Sequence, residues 1–283
     1  MMEMIIIMFL IAIIAFLGLI YISTNVIKTK KYQVENSKLP EELDGLKIAH
    51  ISDVHSKIFG KDNSGVIDRV IKENPDVVIM SGDIIDKREE DIEKFVSMYK
   101  KIYERYPTYY SIGNHERKLG WKKYKKYLKM LQMCGVHVII NGSEKLIKND
   151  KHIIINALKF RENMQPKVLT KEKEEEFISY MKNKLKNLDT KDFNILIAHD
   201  PENFKMYKQL GVDLVFSGHV HGGLIRFGKI CLLSPRRTFF PKYSYGKNTE
   251  ENTTIITSAG MGKATLPIRL FNRPEIVIVT LYK

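Results

Sequence analysis

The chain begins with a long apolar segment. No charged residue occurs between Glu3 and Lys28, and residues 4–22 are almost all aliphatic or aromatic. About 20 such residues form a helix long enough to cross the hydrocarbon core of a bilayer. A cleaved signal peptide would instead carry basic residues before the apolar run and an Ala-x-Ala-like site after it, and this segment has neither. We therefore predict a retained, single-pass transmembrane anchor over residues 1–27.

The charges that flank this segment predict its orientation. The nearest basic residues are Lys28, Lys30 and Lys31, which follow the segment, and no basic residue precedes it. The positive-inside rule then places the rest of the protein on the cytoplasmic side of the membrane. Residues 28–45 are polar, contain Pro40 and Gly45, and are predicted to be a connector. Residues 46–283 are long enough for one globular domain.

After the connector, short apolar runs alternate with amphipathic segments. The apolar runs, several of them rich in isoleucine and valine, predict strands at residues 47–51, 77–80, 108–112, 136–140, 153–157, 194–198, 214–217, 254–258 and 275–282. Helical spacing of apolar positions predicts helices near residues 64–73, 90–103, 121–133, 170–187 and 202–210. The strand–helix alternation of the first half favours parallel pairing, and the strand-rich second half favours a mixed sheet or two packed sheets. The chain is thus predicted to have an α/β fold.

Side chains of the metal-binding type follow five of these apolar runs. They are two aspartates, one asparagine and four histidines: Asp53, His55, Asp83, Asn114, His199, His219 and His221. In α/β sheets the carboxyl ends of the strands gather ligands in a crevice. Residues i and i+2 of an extended chain point the same way, so Asp53 and His55 are expected to face one ion, and His219 and His221 to act similarly. Together these side chains predict a site for two divalent ions, with Asp83 as the bridging carboxylate.

The ligand atoms of this site indicate which metal ions it prefers. Mixed nitrogen and oxygen donors suit Mn²⁺, Fe²⁺, Co²⁺ or Zn²⁺ better than Mg²⁺ or Ca²⁺, which prefer oxygen alone, and Mn²⁺ is the first expectation. Paired ions of this kind serve hydrolytic phosphoryl chemistry.

Composition adds one constraint on partners. The formal net charge is +13, which attracts nucleic acid, an acidic membrane surface or phosphorylated substrates, although a lysine-rich solvated surface explains it equally well. The two cysteines, Cys134 and Cys231, are too few for a disulfide framework and lack the spacing of a metal site. Hydrophobic residues make up 44% of the chain, ample for a large core.

The five segments together resemble the motifs of the calcineurin-like metallophosphoesterases. The pattern of that family is Asp-x-His, Gly-Asp-x-x-Asp, Gly-Asn-His-Asp/Glu, His and Gly-His-x-His, and each block occurs here between Asp53 and His221. The resemblance implies a four-layer αββα sandwich with two mixed β-sheets and a dimetal site at one edge. By motif position, one ion takes Asp53, His55, Asp83 and His221, and the second shares Asp83 and adds Asn114, His199 and His219.

The same resemblance implies roles for two further residues. His115 occupies the position of the family's catalytic histidine, which would protonate the leaving oxygen or stabilise charge on the phosphoryl group. Asp86 corresponds to the carboxylate that orients this histidine. The ions would lower the pKa of a bridging water, so that hydroxide attacks phosphorus. The implied activity is metal-dependent hydrolysis of a phosphate ester or pyrophosphate.

Residues 222–227 and 234–243 resemble a membrane-anchored bacterial branch of this family, related to the enzymes that hydrolyse the pyrophosphate of UDP-2,3-diacylglucosamine. This similarity implies a lipid-linked or UDP-sugar substrate, such as UDP-2,3-diacylglucosamine. Basic side chains beside aromatic ones would hold a phosphate near the lipid, and the substrate-binding candidates are Arg236, Arg237 and Tyr243. The alternative is a structural loop in which Phe239 and Phe240 enter the core.

Other functions remain compatible with the sequence. The alternative is a nuclease or a cyclic-nucleotide phosphodiesterase of the same fold. The net charge suits a nuclease, so nucleic acid is kept as an alternative partner. A protein Ser/Thr phosphatase fits less well, because Asp86 is followed by Lys-Arg where those enzymes have Arg-Gly. A non-enzymatic metal-binding membrane scaffold would be expected to lack a ligand or the histidine, and none is missing. The expected partners are the lipid bilayer and a phosphorylated small molecule or lipid, with no protein partner predicted.

Overall fold

The computed structural model describes residues 1–160, 170–186, 188–223, 225–228, 230–233, 239–262, 269 and 271–283. The helices are α1 (Met2–Asn25), α2 (Ser64–Glu73), α3 (Ile92–Met98), α4 (Lys100–Tyr103), α5 (Asn114–Arg117), α6 (Trp121–Met133), α7 (Lys171–Lys184) and α8 (Phe204–Tyr207). The strands are β1 (Lys28–Glu35), β2 (Lys47–Ile51), β3 (Val77–Met80), β4 (Thr108–Tyr110), β5 (His137–Val138), β6 (Asn141–Lys148), β7 (Lys151–Leu158), β8 (Asn194–Ala198), β9 (Leu214–Ser217), β10 (Ile225–Phe227), β11 (Ile230–Leu233), β12 (Gly246–Glu250), β13 (Thr253–Thr257) and β14 (Glu275–Tyr282).

The strands form two six-stranded sheets and a two-stranded ribbon. The first sheet has the order β1-β14-β2-β3-β4-β5, in which β2 to β5 run parallel and β14 runs antiparallel to β2. The second sheet has the order β12-β13-β9-β8-β7-β6, with four parallel central strands and an antiparallel strand at each edge. Strands β10 and β11 form the ribbon. Both large sheets are therefore mixed, as predicted.

Three apolar clusters define the layers. The inner faces of the two sheets pack together, for example Ile48 and Ile79 of the first sheet with Phe216 of the second. The outer face of the first sheet packs against α2, α3 and α6, and the outer face of the second against α7 and α8. Strands apolar on both faces, such as β3, are typical of sheets covered on both sides. This arrangement is the four-layer αββα sandwich, and it confirms the predicted fold class.

The strands that sequence patterning missed lie mostly at sheet edges. Strands β1, β6 and β12 are edge strands, and their outward positions carry lysine, glutamate and asparagine. Charged residues at an edge discourage pairing with other chains, but they also hide the alternation by which a strand is recognised. The predicted connector, residues 28–45, consequently contains β1, which pairs with β14 along eight residues. This part of the chain is therefore integrated into the first sheet.

Helix α1 projects from the sandwich. It is long and apolar enough to cross a membrane by length and composition, and its apolar window is not buried against the rest of the protein. The chain around its C-terminal end, in contrast, is packed against the domain: Ser23 in the last turn and Ile27 just after the helix are both buried.

Candidate metal centre

The predicted ligands emerge from tight turns at the carboxyl ends of β2, β3, β8 and β9 and at the start of α5. Five of them have positive φ angles, between 48° and 65°: Asp53, His55, Asp83, His219 and His221. Such backbone conformations are unfavourable for residues other than glycine and concentrate at functional sites. The expectation that Asp53 and His55 lie in an extended segment is therefore wrong. Left-handed turns, rather than strand alternation, bring these side chains together.

The first ligand group consists of Asp53, His55 and His221. Nε2 of His221 lies 3.5 Å from Oδ1 of Asp53 and 3.2 Å from Nε2 of His55. Nε2 of His55 lies 3.8 Å from Oδ1 of Asp53. Ligand atoms that share an ion at about 2.1 Å are separated by about 3.0–3.4 Å, so the spacing of this group suits one divalent ion.

The second ligand group consists of Asp83, His199 and His219, whose donor atoms all lie within 4.8 Å of one another. Oδ2 of Asp83 is 3.2 Å from Nε2 of His199 and 3.8 Å from Nε2 of His55. Asp83 thus lies between the two groups, where a bridging carboxylate is expected. Its other oxygen, Oδ1, accepts the backbone N–H of His115, and a side chain at Gly113 would collide with it. The turn that carries Asn114 therefore packs directly against Asp83.

The hydrogen bonding of His199 fits a metal ligand. Its Nδ1 lies 2.8 Å from the carbonyl oxygen of Ser81, and a carbonyl only accepts, so Nδ1 carries the proton. In the neutral ring Nε2 then presents a lone pair toward Asp83. Among the residues that the structure describes, nothing donates a hydrogen bond to this buried nitrogen or to the buried Oδ1 of Asn114. Buried lone-pair atoms without a donor, one of them 3.2 Å from Oδ2 of Asp83, are suited to a cation.

The charges around the groups favour positive ions. Burial opposes protonation of His199, but Asp83 and Asp53 outweigh it and raise its pKa to about 10. Burial also opposes ionisation of Asp83, yet the neighbouring histidines lower its pKa well below the usual range. Both observations mean that a proton or a cation is favoured between these side chains.

His221 is the exception to this pattern. Burial, together with His55 and Arg269 nearby, lowers its pKa. Nη2 of Arg269 lies 3.3 Å from Nδ1 of His221, and because a guanidinium only donates, Nδ1 accepts in this arrangement. An ion on Nε2 would place the ring proton on Nδ1, so the contact with Arg269 would be given up when His221 coordinates, and Arg269 would keep its bonds to Ala259 and Gly262.

Glu116 supports the turns of the first sheet, a role that sequence reasoning did not assign. Its buried carboxylate accepts the backbone N–H groups of Asp83 and Gly113 at 2.9 Å and of Ile84 at 2.7 Å. Burial and the charge of Asp83 raise the pKa of Glu116 to about 7. The one feature of the sequence that could have indicated this role is the position of Glu116 as the last residue of Gly-Asn-His-Glu.

A buried chain of hydrogen bonds ends on Asp53. Ser52 donates to Oδ2 of Asp53 at 2.6 Å, because an ionised carboxylate only accepts, and Ser81 donates to Ser52 at 2.9 Å. With both hydroxyl protons committed, Oγ of Ser81 accepts from Nε2–H of His50 at 2.8 Å. Burial lowers the pKa of His50 to about 3, which keeps the ring neutral. A histidine in the middle of an apolar strand was the signal for this residue.

The second-sheet turn is held from a distant part of the chain. Asn272, fully buried, donates from Nδ2 to the carbonyl oxygens of His221 at 2.7 Å and Gly223 at 2.6 Å. The guanidinium of Arg269 donates to the carbonyl oxygens of Ala259 and Gly262. Nothing in the local sequence around residues 269–272 indicates these contacts.

His115 lies at the open side of the cluster. Its Nδ1 is 3.3 Å from Oδ2 of Asp86 and 3.3 Å from the backbone nitrogen of Lys87. The ring packs edge-on against His55 at 4.3 Å between centroids. Burial lowers the pKa of His115, although Asp83 opposes this. Burial opposes ionisation of Asp86, but hydrogen bonds from Arg88 outweigh it and lower its pKa.

Of the three substrate-binding candidates, the structure describes Tyr243. Arg236 and Arg237 lie outside the described residues. Tyr243 is buried on the outer face of the second sheet, where its hydroxyl donates to Glu250 and its ring packs on Phe204. Phe239 and Phe240, expected in the core under the structural alternative, are instead 74% and 65% exposed.

Comparison with known proteins identifies the family. The model of the calcineurin-like phosphoesterases matches residues 46–223, more than half of the chain. An uncharacterized metallophosphoesterase of Aquifex aeolicus is 29% identical, with 92% of this chain and 94% of that protein covered. One of Bacillus subtilis is 27% identical, with 92% and 87% covered. A transmembrane protein with a metallophosphoesterase domain from Danio rerio is 24% identical over 90% of this chain, which spans 57% of that protein. The chain therefore belongs to the calcineurin-like phosphoesterase family and is a metal-dependent phosphoester hydrolase.

Proposed function

We propose that this protein is a single-pass membrane phosphoesterase that hydrolyses the phosphate ester or pyrophosphate of a lipid-linked or UDP-sugar substrate, such as UDP-2,3-diacylglucosamine. The observation that carries the proposed chemistry is the position of Asp83 between two groups of donor atoms. The proposed membrane attachment is supported by the length and composition of α1 and by the name of the Danio rerio relative. Lys28, Lys30 and Lys31 favour the cytoplasmic side for the domain.

Each group of residues has a proposed role in the reaction. The first group with Asp83 would hold one divalent ion, and Asp83, Asn114, His199 and His219 the other, with Mn²⁺ as our first choice. Two such ions would lower the pKa of a bound water and neutralise charge on a phosphoryl group. His115, with Asp86 beside it, would give its proton to the leaving oxygen. The lowered pKa of His115 makes its protonated ring a stronger acid.

The chemistry is tested with the full chain in detergent, stripped of metal and reloaded with Mn²⁺, on bis-p-nitrophenyl phosphate. Asp83→Asn should lose most bound metal and nearly all turnover, because it serves both ions. His115→Ala should keep two ions per chain but lose about 10²–10⁴-fold in kcat. His137→Ala is the control, since His137 is surface-exposed and paired with Glu144. Unchanged turnover in both Asp83→Asn and His115→Ala would refute the site assignment.

A nuclease is the second candidate, because the formal net charge of +13 favours polyanions. The same full-length enzyme should be offered phospholipids and UDP-sugars in mixed micelles and, separately, single-stranded DNA and cyclic nucleotides. Our proposal expects the highest kcat/KM on an amphiphilic phosphate. A higher kcat/KM on DNA would favour the nuclease.

A further inference from the structure

The C-terminal end of α1 is hydrogen-bonded to the loop that carries Asp53 and His55 and to Arg269, whose side chain contacts His221. Nζ of Lys57, two residues after His55, donates to the carbonyl oxygen of Thr24. The backbone N–H of Arg269 donates to the hydroxyl of the same threonine at 3.4 Å. The last carbonyls of a helix lack partners within the helix, and basic donors are favoured there.

A second basic residue extends this attachment. The guanidinium of Arg273 donates to the carbonyl oxygens of Val26 at 3.0 Å and Ile27 at 3.2 Å. Strand β1 then begins at Lys28 and pairs with β14 from its first residue. No flexible spacer therefore separates α1 from the domain within residues 1–35, all of which the structure describes.

This attachment fixes the height of the metal cluster above a bilayer. Ile22 is the last apolar residue of α1, and Thr24 follows two residues later. At a rise of about 1.5 Å per residue, Thr24, whose carbonyl oxygen accepts from Lys57, lies about 3 Å along the axis beyond the apolar stretch. If α1 spans the membrane, the loop containing His55 and Lys57 lies in the headgroup layer.

The same loops expose apolar side chains. Ile58 follows Lys57 and is 43% exposed, and Phe271 lies between Arg269 and Arg273 and is 45% exposed. We propose that Lys57, Ile58, Phe271 and Arg273 form a membrane-contacting rim that is embedded in the lipid headgroup layer beside the catalytic site. Apolar side chains flanked by basic ones are typical of surfaces that lie in this layer.

The rim deepens the proposed function and rests on α1 being a membrane span. It makes the bilayer the direct neighbour of the first ligand group, so a phosphorylated amphiphile reaches the site by lateral diffusion. A polar substrate in bulk solution gains nothing from this geometry. The substrate class inferred is therefore a membrane-resident lipid that carries a phosphate ester or pyrophosphate near its headgroup.

The rim is tested by fluorescence, since the chain has one tryptophan, Trp121, which can be replaced by phenylalanine. Ile58→Trp and Phe271→Trp are made in this background and reconstituted as the full chain in vesicles of phosphatidylcholine and phosphatidylglycerol. The control is Ile147→Trp, because Ile147 is 69% exposed on β6 and pairs with His152 at the end of β7 remote from the site. Brominated lipids should quench the tryptophan at 58 and 271 about twofold or more, with little quenching at 147.

Two results would overturn the rim. Quenching at 58 and 271 no greater than at 147 would show that these residues are not in the bilayer. Blue-shifted emission without quenching would show that protein, such as a second copy of the chain, covers them. Thermal unfolding of each variant checks that it is folded. The measurement needs no turnover, so the rim can fail while hydrolysis of soluble esters succeeds, and the reverse.

A second measurement links the rim to substrate access. The ratio of turnover on a vesicle-borne phosphate ester to turnover on bis-p-nitrophenyl phosphate should fall about tenfold in Phe271→Asp, because a charge there is repelled from the lipid. The ratio should not change in Ile147→Asp. An equal ratio in both variants would contradict lateral access.

Discussion

The two sheets present their ligands to the metal centre in different ways. The first-sheet ligands, Asp53 and Asp83, are supported by buried side chains of that sheet: Glu116 binds the backbone around Asp83, and the chain from His50 through two serines ends on Asp53. The second-sheet ligands depend on the first sheet. Ser81 accepts from His199, and Asp53 accepts the backbone N–H of His219 at 2.9 Å.

This difference implies a division of roles in the site. The first sheet forms a template whose turns are closed by buried side chains of its own, and the second sheet completes the ligand set by bonding to that template. Damage to the template should therefore disturb both ions, whereas damage to the supports of the second sheet should disturb only the group that contains the affected ligand. Residues that support neither set should have little effect on metal binding.

Among the residues that support the ligands, Glu116 is expected to give the largest effect when it is changed to glutamine. The amide keeps the shape but replaces one accepting oxygen by a donor, which leaves at least one buried N–H without a partner. Each such loss costs about 1–3 kcal/mol, so the free energy of unfolding should fall by about 2–4 kcal/mol. Both ions should bind about 100-fold more weakly, as judged by equilibrium Mn²⁺ titration.

The matched control for Glu116→Gln is Glu144→Gln, since Glu144 is partly exposed and pairs with His137. Normal binding of both ions by Glu116→Gln would show that the first-sheet turns hold their shape without this carboxylate. The template hypothesis would then lose its main support.

His50→Phe should produce the next largest effect. It removes the donor at the far end of the chain to Asp53, so Ser81 is free to reorient and Asp53 loses its fixed orientation. Partners of this kind typically contribute 10–100-fold to metal affinity, and we expect a loss in that range. His50→Gln should restore part of it, because its amide Nε2 can donate at a similar position.

Phenylalanine fills the space of the His50 ring but cannot donate a hydrogen bond. Partial recovery of metal affinity in His50→Gln would therefore show that the hydrogen bond, and not packing, positions Asp53. His152→Phe serves as the control, since His152 is partly exposed and pairs with Asp192. Equal metal affinity in His50→Phe and the wild type would mean that the serines alone orient Asp53.

Asn272→Ala tests the second-sheet support and should have a smaller, one-sided effect. It leaves the carbonyl oxygens of His221 and Gly223 without their donor and loosens the turn. We expect about tenfold weaker binding of one Mn²⁺ and near-normal binding of the other. Asn248→Ala is the control, because Asn248 lies on the edge strand β12 and its side chain donates to a carbonyl oxygen outside the ligand turns, that of Tyr245. Equal weakening of both ions would abolish the distinction between the sheets.

Sequence patterning predicted the central strands and the ligand-bearing segments because both are locally encoded. Strands β3, β8 and β9 begin and end at the predicted residues, since each is a short apolar run buried on both faces. The edge strands β1 and β6 were missed because their charged outer positions resemble loops. The left-handed turns at Asp53 and His221 have no signature in residue type. Asn272 acts across 51 residues of sequence, and only the tertiary structure shows its contact with His221.

The smallest effect is expected from Tyr243→Phe, on the outer face of the second sheet. Resemblance made Tyr243 a substrate-binding candidate, but its hydroxyl donates to Glu250 and its ring packs on Phe204 at 4.9 Å between centroids. Loss of this one hydrogen bond should cost about 0.5–1.5 kcal/mol of stability and leave kcat and KM within about twofold. A KM raised tenfold at constant kcat would instead place Tyr243 at the substrate. Substrate would then contact the outer face of the second sheet as well as the strand ends that carry the ligands.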